Sequence, residues 1–178
     1  MPERRGFAGR PAKSFFFKDF ACILSVVGSY RLVNGAAHGM SFTTFSSAGY
    51  SPKPLPDKLG YKPGMVVAFV ALPEELAELA AAADFAKVAR RQDWSRPLPA
   101  GEYDLVHAFT KSREELSHHL HRLQKAIKRD GAIWVSWPKK ASHVPTDVSE
   151  DVVRAEALKL DLVDVKVAAV DNMWSGLK

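Results

Sequence analysis

Three short polar clusters each follow an apolar run, and their residue types suit the recognition of an anion. Thr110, Lys111 and Ser112 follow "YDLVHAF"; Lys139, Lys140 and Ser142 follow "AIWVSWP"; Asp171, Asn172 and Trp174 follow "LVDVKVAAV". Ammonium and hydroxyl groups donate hydrogen bonds to phosphate or carboxylate oxygens. Ser112 also opens a helical pattern, where free amides and the helix dipole favour negative charge. Plainer roles stand beside these. Lys139 and Lys140 suit a solvated loop, Ser112 suits a helix cap, and Trp174 suits packing over a sheet edge.

Other groups invite chemistry and have simpler explanations too. His107, inside an apolar run, would serve as a general base given a carboxylate such as Asp171; the bland alternative is a hydrogen-bonded core histidine. His118 and His121 of "HHLH" share a helix face at i, i+3 but lack a third ligand at helical spacing, which favours a solvated face over a metal site. Asp147, Glu150 and Asp151 precede a helix, where dipole compensation accounts for them. Cys22 is the only cysteine, which leaves no intrachain disulfide and no multi-cysteine zinc site.

These residues need a scaffold, and the chain from Met65 supplies a regular one. "MVVAFVAL" reads as a buried strand. "PEELAELAAAA" follows as a helix, with Leu76, Leu79, Ala80 and Ala83 on one face. "DFAKVAR" is a weaker strand, and "YDLVHAF" is apolar on both faces as a central parallel strand requires. Ser112 and Glu115 have capping-box spacing before a helix with Leu116, Leu120, Leu123 and Ile127 in a stripe. That helix is expected to end at a left-handed Gly131. "AIWVSW" is another buried strand with Trp134 and Trp137 in the core; Pro138 ends it. A third helix near "SEDVVRAEALKL" buries Val153, Ala157 and Leu160, and "LVDVKVAAV" is a further strand. Alternating strands and helices predict right-handed crossovers and a Rossmann-like α/β domain over 65–178. The sheet is expected to be mainly parallel, with helices on both faces.

The first 64 residues differ. Residues 1–39 carry six Lys or Arg and two acidic side chains, whereas the remaining 139 carry 19 and 18. The basicity belongs to an extension, expected to be disordered or misannotated, with Met40 as an alternative start. Residues 40–64, rich in Ser, Pro and Gly, read as a linker arm in which "DKLG" forms one helical turn. A nearly neutral body makes nucleic acid an unfavoured partner. No run approaches the roughly 20 apolar residues of a membrane span. "FACILSVVG" loosely imitates a secretory signal, but Lys18 and Asp19 interrupt the apolar material, so a cytoplasmic location is expected.

The segments "LPDKLGYKPGM", "YDLVHAFTKSREEL", "GAIWVSWPKKASHVPTDVSEDVVR" and "LDLVDVKVAAVDNMWSGLK" resemble an uncharacterised bacterial family, domain of unknown function 3052, over about residues 52–178. The resemblance implies a shortened class I methyltransferase sheet closed by an antiparallel hairpin strand. Such enzymes place a glycine-rich turn after the first strand, because only glycine lets backbone amides approach the cofactor closely. Here the turn reads "VALPEEL", no glycine lies between Gly64 and Gly101, and no ribose-binding acid is evident in "DFAKVARRQD". The expectation is therefore a binding or interaction module without cofactor, for a small anionic molecule or a protein partner. Its ligand would be held by Thr110, Lys111, Ser112, Lys139, Lys140, Ser142, Asp171 and Trp174. The alternative is a divergent S-adenosylmethionine-dependent methyltransferase, and whether the protein is an enzyme stays open between the two.

Overall fold

The computed structural model describes residues 53–178. The expectations for residues 1–39 and for the first part of the 40–64 arm lie outside the described residues. Nine elements follow: α1 (Leu55–Leu59), β1 (Val66–Val70), β2 (Lys87–Arg91), β3 (Tyr103–Phe109), α2 (Arg113–Ala126), β4 (Ile127–Pro138), α3 (Glu150–Leu158), β5 (Val167–Ala169) and β6 (Trp174–Leu177), with 3₁₀ helices at Glu74–Ala81 and Lys140–Ser142. They build one six-stranded sheet in the order β2-β1-β3-β4-β6-β5. The pairs β1–β2, β1–β3 and β3–β4 are parallel, and β6 runs antiparallel to β4 and β5. The expected Rossmann-like architecture, a mainly parallel sheet closed by an antiparallel hairpin, is the one observed.

Period-two alternation splits the strands between two cores, as buried strands with two covered faces require. Ala68, Val70, Val106, Ala108, Ile133 and Val135 face α2 and α3, joined by Leu116, Leu120 and Val153. Val67, Phe69, Leu105, Phe109 and Trp134 face the other way, against Leu59, Tyr61, Leu76 and Leu79. Leu59 and Tyr61 lie within the stretch read as a linker arm, yet both are buried. The Trp134 indole N–H donates to the Leu59 carbonyl at 2.8 Å, so α1 is a structural cover of the sheet. An apolar pair spaced by Gly60 among prolines was too short a signal to read as core.

Two local expectations need correction. The "PEELAELAAAA" run winds as a 3₁₀ helix. Its N-cap, Pro73, contributes no side-chain hydrogen bond, and the run is anchored by burial of Leu76, Leu79 and Ala80. Gly131 is not a left-handed helix terminator. Helix α2 stops at Ala126, the extended Ile127 begins β4 directly, and Gly131 is absent from the positive-φ residues. Glycine is needed there for close approach: a Cβ would lie 2.9 Å from the Tyr103 carbonyl oxygen, beside the register shift between Tyr103 and Leu105. The expected cap is present at α2, where Ser112 Oγ accepts from the Glu115 amide; at α3 Ser149 Oγ likewise accepts from the Val152 amide.

Candidate functional site

The chain leaves β1 and β3 in opposite directions, toward β2 and β4, and opens a crevice between their carboxyl ends, where ligands of open α/β sheets bind. A cleft of about 630 Å³ occupies that place. Ala71, Pro73 and Glu75 wall it from the β1 side. Thr110, Lys111, Ser112 and Glu115 wall it from the β3–α2 side, with Phe109 and Trp174 completing it.

Four of the eight sequence-derived ligand residues, Thr110, Lys111, Ser112 and Trp174, therefore share one cavity. The other four stand outside its walls, and three of them have partners of their own. Lys139 Nζ donates to the Asp171 carbonyl at 2.6 Å, and the Lys139 amide donates to Met173 O at 2.7 Å. The Asp171 carboxylate accepts from the amides of Met173 and Trp174. Ser142 Oγ donates to Lys139 O at 2.6 Å. Together they latch the end of β4 to the β5–β6 turn, across from the Pro138–Trp174 pair. Lys140 is exposed in the short 3₁₀ turn. The border of the sheet is shared; the cavity is not.

The start of α2 is less open to an anion than its sequence implies. Ser112 N donates to Thr110 Oγ1 at 3.1 Å, Arg113 N to the Asp147 carboxylate at 2.7 Å, and Glu115 N to Ser112 Oγ at 3.3 Å. Asp147 thus supplies the negative charge that the helix dipole favours. Thr110 is buried, and its hydroxyl donates to Glu115 Oε2 at 2.6 Å. The charged side chains left in the cleft wall are one cation, Lys111, and two carboxylates, Glu75 and Glu115. That balance opposes a simple polyanion and suits a ligand with both a cationic centre and an acidic group.

Trp174 gives the cleft its aromatic surface. It is 3% exposed, meets Phe109 edge to face at 5.3 Å, and lies 5.9 Å from Lys111 Nζ, measured from the ring centroid. Its indole N–H is buried with no acceptor, and buried donors are almost always paired.

His107 is not a general base in this cleft. Its ring is fully buried, with Tyr61 Oη 2.6 Å from Nδ1 and Ser136 Oγ 2.7 Å from Nε2, and it stacks on Phe109 at 4.4 Å. Asp171 is not its partner. Burial pushes its pKa down to about 3, and burial pushes Tyr61 up, so both are neutral across the ordinary pH range. Gly176 makes room for this chain of three: a Cβ there would come within 2.7 Å of Ser136 Oγ. Among the described residues, no three His, Cys, Asp or Glu side chains gather to hold a metal, and no helix is long and apolar enough to cross a membrane.

Several residues in the cleft or at the same end of the sheet were not singled out from sequence. Ala71 adopts a left-handed φ of 51° directly after β1, a conformation that glycine accepts most readily. The carboxylate just beyond β2, Asp93, is folded onto the amides of Ser95 and Arg96 and the Ser95 hydroxyl, which hold its pKa low. Next to it Trp94 is buried and donates to Phe109 O at 2.7 Å, covering the end of β3. Glu115 was legible only as a capping residue, and its aim at Thr110 had no signal in the pattern.

No family model and no curated protein matches the chain. Solved structures do. A S-adenosylmethionine-dependent methyltransferase from Mesorhizobium loti is similar over 69% of this chain and 94% of its own, at 10% identity and a TM-score of 0.50. One from Aquifex aeolicus is similar over 68% of this chain and 84% of its own, at 16% identity and a TM-score of 0.49. At 10% identity the likeness to the Mesorhizobium loti structure is one of fold, and the fold of this chain is methyltransferase-like.

Proposed function

We propose that this protein is a divergent S-adenosylmethionine-dependent methyltransferase whose cofactor occupies the cleft between β1, β3 and β6. The observation that carries the reading is the composition of the cleft wall: Lys111 and Glu115 on the β3–α2 side, Glu75 on the β1 side, and the Trp174 ring beside them. S-adenosylmethionine carries a sulfonium, an amine and a carboxylate, which that balance of charge suits better than a phosphate. Lys111 would pair with the carboxylate, Glu115 or Glu75 would face the cationic end, and Trp174 would pack on the ligand through its ring. The neighbours described as methyltransferases share the fold, which supports the choice of ligand to test first. We also take the chain as a bacterial, cytoplasmic member of the family domain of unknown function 3052, on the segments "WVSWPKKAS" and "VDVKVAAVDNMWSGLK".

A second reading, a binding module without methyl transfer, is favoured by one feature. The turn Ala71-Leu72-Pro73 carries side chains where cofactor-binding turns expose bare amides. A thermal-shift scan separates the two readings, because ligand that binds the folded state raises its melting temperature by mass action. S-adenosylmethionine and its demethylated product should raise it. A shift with phosphate or phosphorylated metabolites alone would favour the anion-binding module instead.

A further inference from the structure

A second cavity lies away from the cleft. It has a volume of about 230 Å³ and sits between the inner face of α3 and the amino half of β4. Ile133, Val135, Val153, Ala157 and Leu177 form its walls. Leu158, Val163 and Val165 stand at its mouth, and they are the three most exposed large apolar side chains among the described residues, at 57%, 73% and 68%. Apolar side chains left this open at the rim of an apolar hollow mark a binding surface.

The charge at the mouth identifies the class of ligand. Arg154 lines the cavity and is spent: it donates to Glu150 at 2.7 Å and to Asp164 at 3.1 Å, and it lies 3.5 Å from Asp151. Asp161 adds a further carboxylate to the rim, and the Lys178 ammonium lies by Gly60 instead. An acid would meet carboxylates without a free partner, and a base would find Glu150, Asp151 and Asp164 already engaged by Arg154, with only Asp161 of the rim outside that cluster. A neutral molecule meets neither penalty.

We infer that this cavity binds a small uncharged apolar molecule, a fused aromatic ring or a short alkyl group, with part of it lying across Leu158, Val163 and Val165. The volume is ample, since apolar hollows of about 150 Å³ already take benzene. The outer wall is a short irregular segment outside any helix or strand, tied to the body by Leu162 N to Ala157 O at 3.2 Å, Val165 N to Lys178 O at 2.7 Å, the Arg154–Asp164 pair, and bonds at its ends from Gln124 to Leu160 O and from Lys178 N to Lys166 O. Such a wall yields to a guest more readily than a helix does.

The test is a fluorescence titration of the full chain with N-phenyl-1-naphthylamine, a neutral dye that brightens in apolar surroundings. Saturable one-site binding is expected. Ala157→Trp, which fills the hollow, should weaken it at least about tenfold, and Leu158→Glu, a change at an exposed position, should weaken it several-fold without unfolding the chain. Lys111→Ala, in the separate cleft, should leave it unchanged. Absence of saturable binding, or full binding by Leu158→Glu, overturns the inference. So does dye binding that disappears as protein concentration rises, which would show that a second copy covers the mouth.

Discussion

Lys139 Nζ donates to the backbone carbonyl of Asp171 at 2.6 Å, joining two residues that the sequence offers as ligand contacts to one another. The bond spans from the end of β4 to the β5–β6 turn, and the Asp171 carboxylate in turn holds the amides of Met173 and Trp174. Lys139→Ala is therefore expected to lower stability by about 1–2 kcal/mol, the range of a partly buried charge-assisted hydrogen bond. Lys140→Ala should be neutral within about 0.5 kcal/mol, as for most exposed positions. Urea denaturation of both variants checks this; equal effects would contradict it.

The chain Tyr61–His107–Ser136 predicts an acid sensitivity. His107 is neutral in the fold, with its pKa pushed down to about 3 from the ordinary 6.5. A group with a depressed pKa lets the unfolded chain bind a proton that the folded chain refuses. Its contribution is full above pH 6.5 and is lost progressively as pH falls toward 3, to a total of several kcal/mol on the order of one per pH unit. Urea midpoints for wild type and His107→Gln should diverge less at pH 4 than at pH 7, because the variant has no imidazole to charge. Parallel pH profiles would contradict the assignment.

Gly176 is the packing counterpart of that chain. A Cβ would approach Ser136 Oγ to 2.7 Å and Trp134 Cε3 to 3.1 Å, and both neighbours are fully buried. Gly176→Ala is expected to cost about 1–3 kcal/mol, as overpacking of a well-filled core does. A melting temperature equal to wild type would show that the strand pair relaxes freely.

Ala71 tests the turn after β1. Its φ of 51° costs a residue with a Cβ about 1–2 kcal/mol, part of which glycine recovers at the expense of chain entropy. Ala71→Gly should stabilise by about 0.5–1 kcal/mol, and Ala71→Val should destabilise by more than that. Calorimetric melting of the pair decides it.

The sheet was legible because burial dictates its pattern. Val66–Val70, Tyr103–Phe109 and the "AIWVSW" part of β4 are apolar on both faces, a mark of covered parallel strands. Trp134 and Trp137 are buried as their size implies. The candidate site was half legible. Thr110, Lys111 and Ser112 could be placed because a strand end and a helix cap fix them. Lys139 and Asp171 could be placed on the right border, but nothing in a linear pattern tells which partner a lysine finds. The occupied amides at the start of α2 depend on Asp147, 34 residues from Arg113, and Glu75 reaches the cleft only because the turn after β1 is tight. Charge balance inside a cavity is a property of the assembled walls.

Calorimetric titration with S-adenosylmethionine tests the central claim most directly. Binding at one site is predicted for the wild-type chain, weakened about tenfold or more by Lys111→Glu and several-fold by Glu115→Gln, since tenfold corresponds to about 1.4 kcal/mol, the scale of one lost charged contact. No heat of binding with S-adenosylmethionine, together with saturable binding of inorganic phosphate that Lys111→Glu abolishes, would contradict the account.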